Sequence, residues 1–424
     1  MPTQIPNNTN FSPYISGWES MADGLLPGEP IYTEVARSFV PLVGRTALTE
    51  IFPEEVIEQR VVVIQQSQEA TTTIMPLVDW GKQDVVTGQT GGTSKFMMVQ
   101  PLVIRQTKFI AHGELNTRLR PGTMNEQWSP SEQIDRIIET MVQEHALTWD
   151  VYRALMLLGG IHYTDPRTGV SVEVSAQIPP HNFWSYNVSA GFMGRNESLM
   201  FKSVLDSNTT NSTTAGVPFT DPNADLLMAM RSFANWFKVT NKSRVTAMYL
   251  SADLSHILMN NNQVKLSQGG TVFGMGSAPI VRDSADPISS SQFTMNAEGL
   301  SSISGIPLRP VETGFRDPVT NLYRPVFPKN KIVAVSEVNS NGGNEAPGRT
   351  QYCVSEESGG RPGLWTRTVD ETQPPAPPGM YIQMGNAGLP YLKFPYRVAH
   401  LNVASPQAVN NRLGIVGDYN FGVI

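Results

Sequence analysis

Six histidines, one cysteine and a few adjacent carboxylates are the residues of this chain most able to do chemistry. The histidines stand at 112, 145, 162, 181, 256 and 400, and none belongs to a His-Glu-x-x-His pair that would aim two imidazoles at one zinc ion. His145 falls on the apolar side of a helical pattern, where a satisfied core histidine is expected rather than a ligand. Cys353 is the single cysteine, which rules out an intrachain disulfide and a thiolate-rich metal site; a small buried hydrophobe is expected there. Gly270-Thr271-Val272-Phe273-Gly274-Met275-Gly276 is glycine-rich but lacks the Lys-Ser/Thr that a phosphate loop needs. No Gly-x-Ser-x-Gly elbow occurs. Glu54-Glu55 and Glu356-Glu357 lie in exposed-looking contexts, and sequence adjacency does not supply the opposed environments that acid–base pairs require. Met97, Met98, Met228 and Met230 read as core or interface filler. No catalytic group, metal site or cofactor is expected.

Composition narrows the class. The 424 residues suffice for two or three domain-sized units. Charged residues make up 16%, against roughly 25% in ordinary soluble domains, and the deficit is filled by uncharged polar residues, 35 glycines and 32 prolines. So few charges fit either a surface consumed by contacts with further copies or a β-rich, loop-rich protein. The net charge of −6 and the lack of a Lys/Arg cluster argue against tight nucleic-acid binding. The opening MPTQIPNNTNF has no basic stretch followed by an apolar core, so no signal peptide is expected. No run of about 18 apolar residues suggests a membrane span.

The strongest element signal lies between Ser129 and Val174. Ser129 suits an N-cap, Pro130 the first helical position and Glu132 the third. Ile134, Ile137, Ile138, Met141, His145, Trp149, Tyr152 and Leu155 recur at helical steps, and Gly159-Gly160 offers a stop. The spacing predicts one helix over 131–158. Asp165-Pro166-Arg167-Thr168-Gly169 predicts a hairpin turn, with Val170, Val172 and Val174 alternating after it.

Before the helix, residues 1–55 show little periodicity and read as an arm, with a short helix near 31–40. Residues 60–64, 71–75 and 95–111 read as strands around the glycine-rich tip 87–93, a long β-ribbon. After it, 185–216 reads as a loop or insertion, and Asp221-Pro222 as the start of a second helix. Val245 to Leu250 reads as a strand, and Ser251 caps a third helix. Strands are expected flanking Asp317-Pro318, over 331–338 and over 398–403, with Pro374 to Gly379 a stiff connector. The fold class is α+β with strands outnumbering helices.

This order of elements resembles the major capsid proteins of tailed bacteriophages, more narrowly the lambda-like capsid protein E family. The resemblance is carried by TDPNADLLMAMRSFANWFKVTNKSRVTAMYLS (220–251), GIPLRPVETGFRDPVTNLYRPVFPKNKIVAVSE (305–337) and the tail from PGLWTRTVDETQPPAPPGMY onward. It implies the tailed-phage major capsid fold: an N-terminal arm (1–55), an extended loop (56–110) and a peripheral domain (111–184) with the spine helix. An insertion (185–216), an axial domain (217–325), return strands of the peripheral domain (326–394) and a C-terminal segment (395–424) of the axial domain follow. It further implies self-assembly into hexamers and pentamers of an icosahedral head, with scaffolding, portal and decoration proteins as partners. Double-stranded DNA would be enclosed without specific binding, and the subunits would assemble in the host cytoplasm and end in the virion. Some relatives cross-link neighbouring subunits through a Lys and an Asn, so Lys82 and Lys95, with Gly88, Gly91 and Gly92 at the tip, become candidate contacts between subunits. The competing readings are an encapsulin-like compartment of the same fold, a hydrolase without a recognisable motif, and a tail or fibre protein.

Overall fold

In the computed structural model the expected long helix runs unbroken from Pro130 to Leu157, and its 28 residues span about 42 Å. The structure describes residues 47–67, 94–111, 130–164, 169, 171–185, 218–267, 293–296, 299–316, 323–336, 338–340, 343–355, 358, 362–371 and 379–404. The expected N-cap Ser129, the helix near 31–40, the strand at 71–75, the tip at 87–93, nearly all of the 185–216 insertion, the 270–276 loop and the connector at 374–378 lie outside the described residues.

Gly159 and Gly160 end the helix at φ +131° and +150°, and a Cβ on Gly160 would sit 2.5 Å from the Val174 carbonyl oxygen. Only glycine lets the chain turn there directly into the hairpin of Gly160–Thr164 with Ser171–Ser175. Val172 and Val174 alternate with exposed residues in it, as expected.

Two sheets share the helix. The first has five strands: Glu54–Val56, Gly348–Cys353, Gly379–Leu392, Trp365–Glu371 and Leu102–Ala111. Its organiser is the 14-residue strand Gly379–Leu392. Leu102–Ala111 pairs along one side of it, while Trp365–Glu371 and Gly348–Cys353 follow one another along the other. Ile134, Ile138, Met141 and Val142 of the helix pack there on Ile110, Met380, Ile382 and Met384.

The second sheet has seven strands, in the order Phe183–Ser185, Val398–Asn402, Lys331–Val335, Ala247–Leu250, Ile306–Pro310, Gly299–Ile303 and Phe293–Asn296. One face, with Met248, Leu250, Ile332, Ala334 and Leu401, packs on the helices Leu226–Asn241 and Ala252–Met259. The other face, with Ala247, Tyr249, Val333 and Val335, meets Ala154, Met156 and Leu157 at the end of the long helix, and Leu389 and Leu392 of the first sheet. His400 fastens this junction: its Nε2 lies 2.9 Å from the Leu157 carbonyl oxygen.

Two expectations change. Lys331–Val335, expected among the return strands that accompany the long helix, is hydrogen-bonded between Ala247–Leu250 and Val398–Asn402 in the second sheet. Its alternate residues bury into two different cores, which suits a central strand. The second helix starts at Leu226, not at Pro222. Asp225 is its N-cap, accepting from the Met228 amide at 2.9 Å and from Gln263 Nε2 at 2.8 Å. Asp221 instead accepts from the Asn223 amide at 2.8 Å in a turn upstream, a geometry that Asp-Pro favours equally. Ser251 caps the third helix as expected, through the Leu254 amide. Gly314–Arg316 and Tyr323–Pro325 pair around the second Asp-Pro turn, and Cys353 is fully buried.

Ile138 is fully buried between helix and sheet. Ile138→Asp places an unpaired carboxylate there, and the expected loss is about 3 kcal/mol or more in chemical denaturation. A variant as stable as the parent would refute this packing.

Candidate functional site

The stretch that precedes the long helix carries unusual surface. Val62–Ser67 and Ser94–Val99 form a two-stranded antiparallel ribbon, in register from Val62↔Val99 to Ser67↔Ser94. Its inner face buries Val62 and Ile64, with Met97 and Val99 packed beside them, and Gln66 Nε2 donates to the Leu392 carbonyl at 3.3 Å, tying the Ser67 end of the ribbon to the first sheet. Its outer face exposes apolar side chains: Met98, opposite Val63, is 78% exposed, and Val61, just before the strand, is exposed as well. Leu102–Ala111 continues the pattern. Ile104, Gln106, Lys108 and Ile110 alternate with Val103, Arg105, Thr107 and Phe109, and the latter set is exposed. The far edge of this strand pairs with no strand among the described residues. Exposed apolar side chains next to an open strand edge are the ordinary signature of a surface that binds another chain.

The root of this surface is held by charge. Glu54–Val56 runs parallel to Thr350–Tyr352, and successive residues of an extended strand point to opposite faces. Glu54 therefore reaches the helix side. There Arg153, only 2% exposed, donates from Nη2 to Glu54 Oε1 at 2.6 Å and from Nη1 to Asp150 Oδ1 at 3.1 Å. Its Nε donates to Thr350 Oγ1 at 3.1 Å and Nη2 also to Tyr352 Oη at 3.2 Å, and the Tyr352 hydroxyl donates to Glu54 at 3.0 Å. Burial alone would lower the Arg153 pKa; Tyr352, Glu54 and Asp150 outweigh it and hold it above its ordinary value. Burial, reinforced by Glu54 and Asp150 and opposed by Arg153, pushes the Tyr352 hydroxyl up, so it stays a donor. Glu55 reaches the opposite side, where Arg349 Nη1 and Gln351 Nε2 each donate to it at 3.3 Å. Arg349 also pairs with Glu345 at 2.9 Å, and Lys393 pairs with the same Glu345 oxygen. The Glu54-Glu55 pair, expected to be merely exposed, is thus a two-sided anchor. Phe52 completes it by lying across Gly348, where a Cβ would come within 2.4 Å of the ring.

Of the candidate contact residues, Lys82, Gly88, Gly91 and Gly92 lie outside the described residues, and Lys95 sits in the ribbon opposite Gln66. The anchor around Arg153 was not anticipated. The available signal was a charged i, i+3 pair, Asp150 and Arg153, within the helix that otherwise buries Trp149, Val151 and Ala154. His145 is buried as expected but not satisfied, since neither ring nitrogen has a hydrogen-bond partner. Burial is the largest effect and drives its pKa to about 4, opposed by an approach to the Met384 backbone, which falls outside normal hydrogen-bond geometry, and by Glu144. Among the described residues no group of three or more His, Cys, Asp or Glu side chains could hold a metal ion. No described helix is long and apolar enough to cross a membrane.

Residues 33–190 match the family described as phage major capsid protein E. No curated protein matches the chain by sequence. Among solved structures it is similar to the putative capsid protein of a prophage of E. coli CFT073, with 11% identity, 88% of this chain and 97% of that chain covered, and a TM-score of 0.50. It is also similar to a phage-related protein from Bordetella bronchiseptica RB50 (10% identity, 89% and 97% covered, TM-score 0.47). The capsid protein of cyanophage P-SCSP1u aligns at 14% identity over 91% and 94% of the two chains, with a TM-score of 0.44.

The two kinds of partner of Arg153 predict different costs. Arg153→Met leaves Asp150 buried without its guanidinium and should cost about 3–5 kcal/mol. Glu54 is 56% exposed and can rehydrate, so Glu54→Gln should cost under about 1 kcal/mol. Urea denaturation of both variants checks this; equal losses would contradict the assignment of Asp150 as the buried partner.

Proposed function

From the match of residues 33–190 to the family described as phage major capsid protein E, we propose that the chain is a member of that family and that its copies assemble into the pentamers and hexamers of an icosahedral head enclosing the double-stranded DNA of a tailed phage. The role is that of a shell protein, not of an enzyme. One observation carries the reading: the family match spans the ribbon, the open-edged strand and the long helix, the same stretch that exposes Val56, Val61, Met98, Val103 and Phe109. Apolar surface that a lone subunit leaves in water is surface that neighbours cover in a shell.

On this reading the arm ends before Glu54 and the extended loop ends before Leu102, because Glu54–Val56 and Leu102–Ala111 belong to the first sheet; the loop reaches a neighbouring subunit, with Gly88, Gly91, Gly92, Lys82 and Lys95 at the contact. The first sheet and the long helix make the peripheral domain. The second sheet with its helices makes the axial domain, which takes in strand 331–335 beside the C-terminal strand 398–402. Scaffolding and portal proteins, with decoration proteins where the phage uses them, are the further partners. The net charge of −6 suits a container that holds DNA without gripping it. Assembly takes place in the host cytoplasm and the product is the virion shell.

Electron microscopy of the purified full chain is expected to show closed shells, and particles from infected cells should contain double-stranded DNA. A monomer that never assembles would overturn the reading, and shells filled with protein cargo would overturn its DNA half. Deleting Gly88 to Thr93 should abolish shells while leaving the thermal unfolding of the subunit within about 2 °C of the parent, since loop tips contribute little to folding stability.

A further inference from the structure

Around Ile134, Ile138, Met141 and Val142 the long helix meets the first sheet through apolar side chains. A buried ring follows directly on that stretch. His145 lies one turn beyond Met141 and is 4% exposed; neither ring nitrogen makes a hydrogen bond of normal geometry, and the Met384 backbone is the one group of the facing strand that favours its charged form. A neutral imidazole in that position leaves one donor and one acceptor unmet. An imidazolium would leave two donors and a full charge unmet, which an apolar interface does not tolerate. We propose that His145 is a pH-sensitive joint, whose protonation in mild acid releases the middle of helix Pro130–Leu157 from strand Gly379–Leu392.

The surrounding charges do not offer the cation a home. On its own helix Glu144 is the carboxylate that acts on the ring, but Glu144 is engaged by Lys108 at 3.1 Å and by Gln106, both on strand Leu102–Ala111. Strand Gly379–Leu392 contributes only the Met384 backbone. Arg105 pairs with Gly385 and Arg367 with Gln383, the residues on either side of Met384, and both arginines are exposed. Asp370 pairs with Met380, four residues along the strand. His400, equally buried, differs in kind: its Nε2 is matched to the Leu157 carbonyl. The released segment is thus the middle of the helix, between the apolar contacts of Ile134 and Ile138 and the Arg153 anchor. The inference stands whether or not the chain builds a shell.

Amide hydrogen exchange of the full chain, corrected for the intrinsic rate, tests it at pH 7 and pH 5. A ring pKa of about 4 when packed, returning to about 6.5 when the segment opens, raises the opening constant about 20-fold between those two pH values. Amides 141–149 should speed up by that factor in the parent and by less than about threefold in His145→Gln, which cannot titrate there, while helix Leu226–Asn241 stays unchanged. The proposal fails if the parent shows no rise, if His145→Gln shows the same rise, or if Leu226–Asn241 opens in step. Should His145→Gln not fold, His145→Leu replaces it, and a flat parent profile overturns the proposal regardless of either variant.

Discussion

A helix of 28 residues has to keep one face dry along its whole length, and no single sheet here is placed to cover it. The first half, through Ile134, Ile138 and Met141, lies on the five-stranded sheet. The second half, through Ala154, Met156 and Leu157, ends in a core to which both sheets contribute, with Val333 and Val335 from one and Leu389 and Leu392 from the other. The helix is therefore the element that fixes the two sheets relative to each other. His400 reinforces that junction by placing its ring nitrogen against the last turn of the helix. Most of the remaining architecture, including the double-sided burial of Lys331–Val335, follows from this shared core.

Charge does what apolar contact cannot do at the start of the described chain. A three-residue strand, Glu54–Val56, has too little surface to hold itself on a sheet by burial. Its two glutamates, pointing to opposite faces, are gripped by Arg153 on one side and by Arg349 and Gln351 on the other. Replacing a buried ion pair by apolar residues is often neutral for stability, so the value of this arrangement lies in position. It sets the parallel register of Glu54 to Thr350 and thereby the place from which the ribbon leaves the sheet.

Elements with local signals were legible in the sequence. The periodicity from Ile134 onward, the Gly159-Gly160 stop, the hairpin after it and the Ser251 cap needed only near neighbours. The α+β class followed from the same signals; of the ribbon expected over 60–111, Val62–Ser67 pairs with Ser94–Val99, whereas Leu102–Ala111 lies in the first sheet instead. What escaped depended on distant partners. Asp225 outcompeted Asp221 as N-cap where Gln263, far along the chain, gave it a second hydrogen bond. The placement of Lys331–Val335 depended on two cores, while its Lys-Ile-Val-Ala-Val run reads only as a buried strand. Arg153 looked like any helical arginine, since its partners Glu54, Thr350 and Tyr352 are far away in sequence. His145 was placed correctly in the interior, but whether a buried ring finds a partner is decided by sub-ångström geometry that spacing does not encode.

The strand Gly379–Leu392 has a mechanical consequence. It is flanked from Gly379↔Ala111 to Gly388↔Leu102 on one side and by Trp365–Glu371 and Gly348–Cys353 on the other. Tension along its axis is shared by all these rungs at once, because every hydrogen bond must shear together before the strand slips. Tension across the axis falls on one rung at a time, as in opening a zip. The five-stranded sheet is accordingly stiffer along this direction, roughly 48 Å of continuous strand at about 3.4 Å per residue, than at right angles to it. Any load the protein bears is best carried lengthwise through that strand.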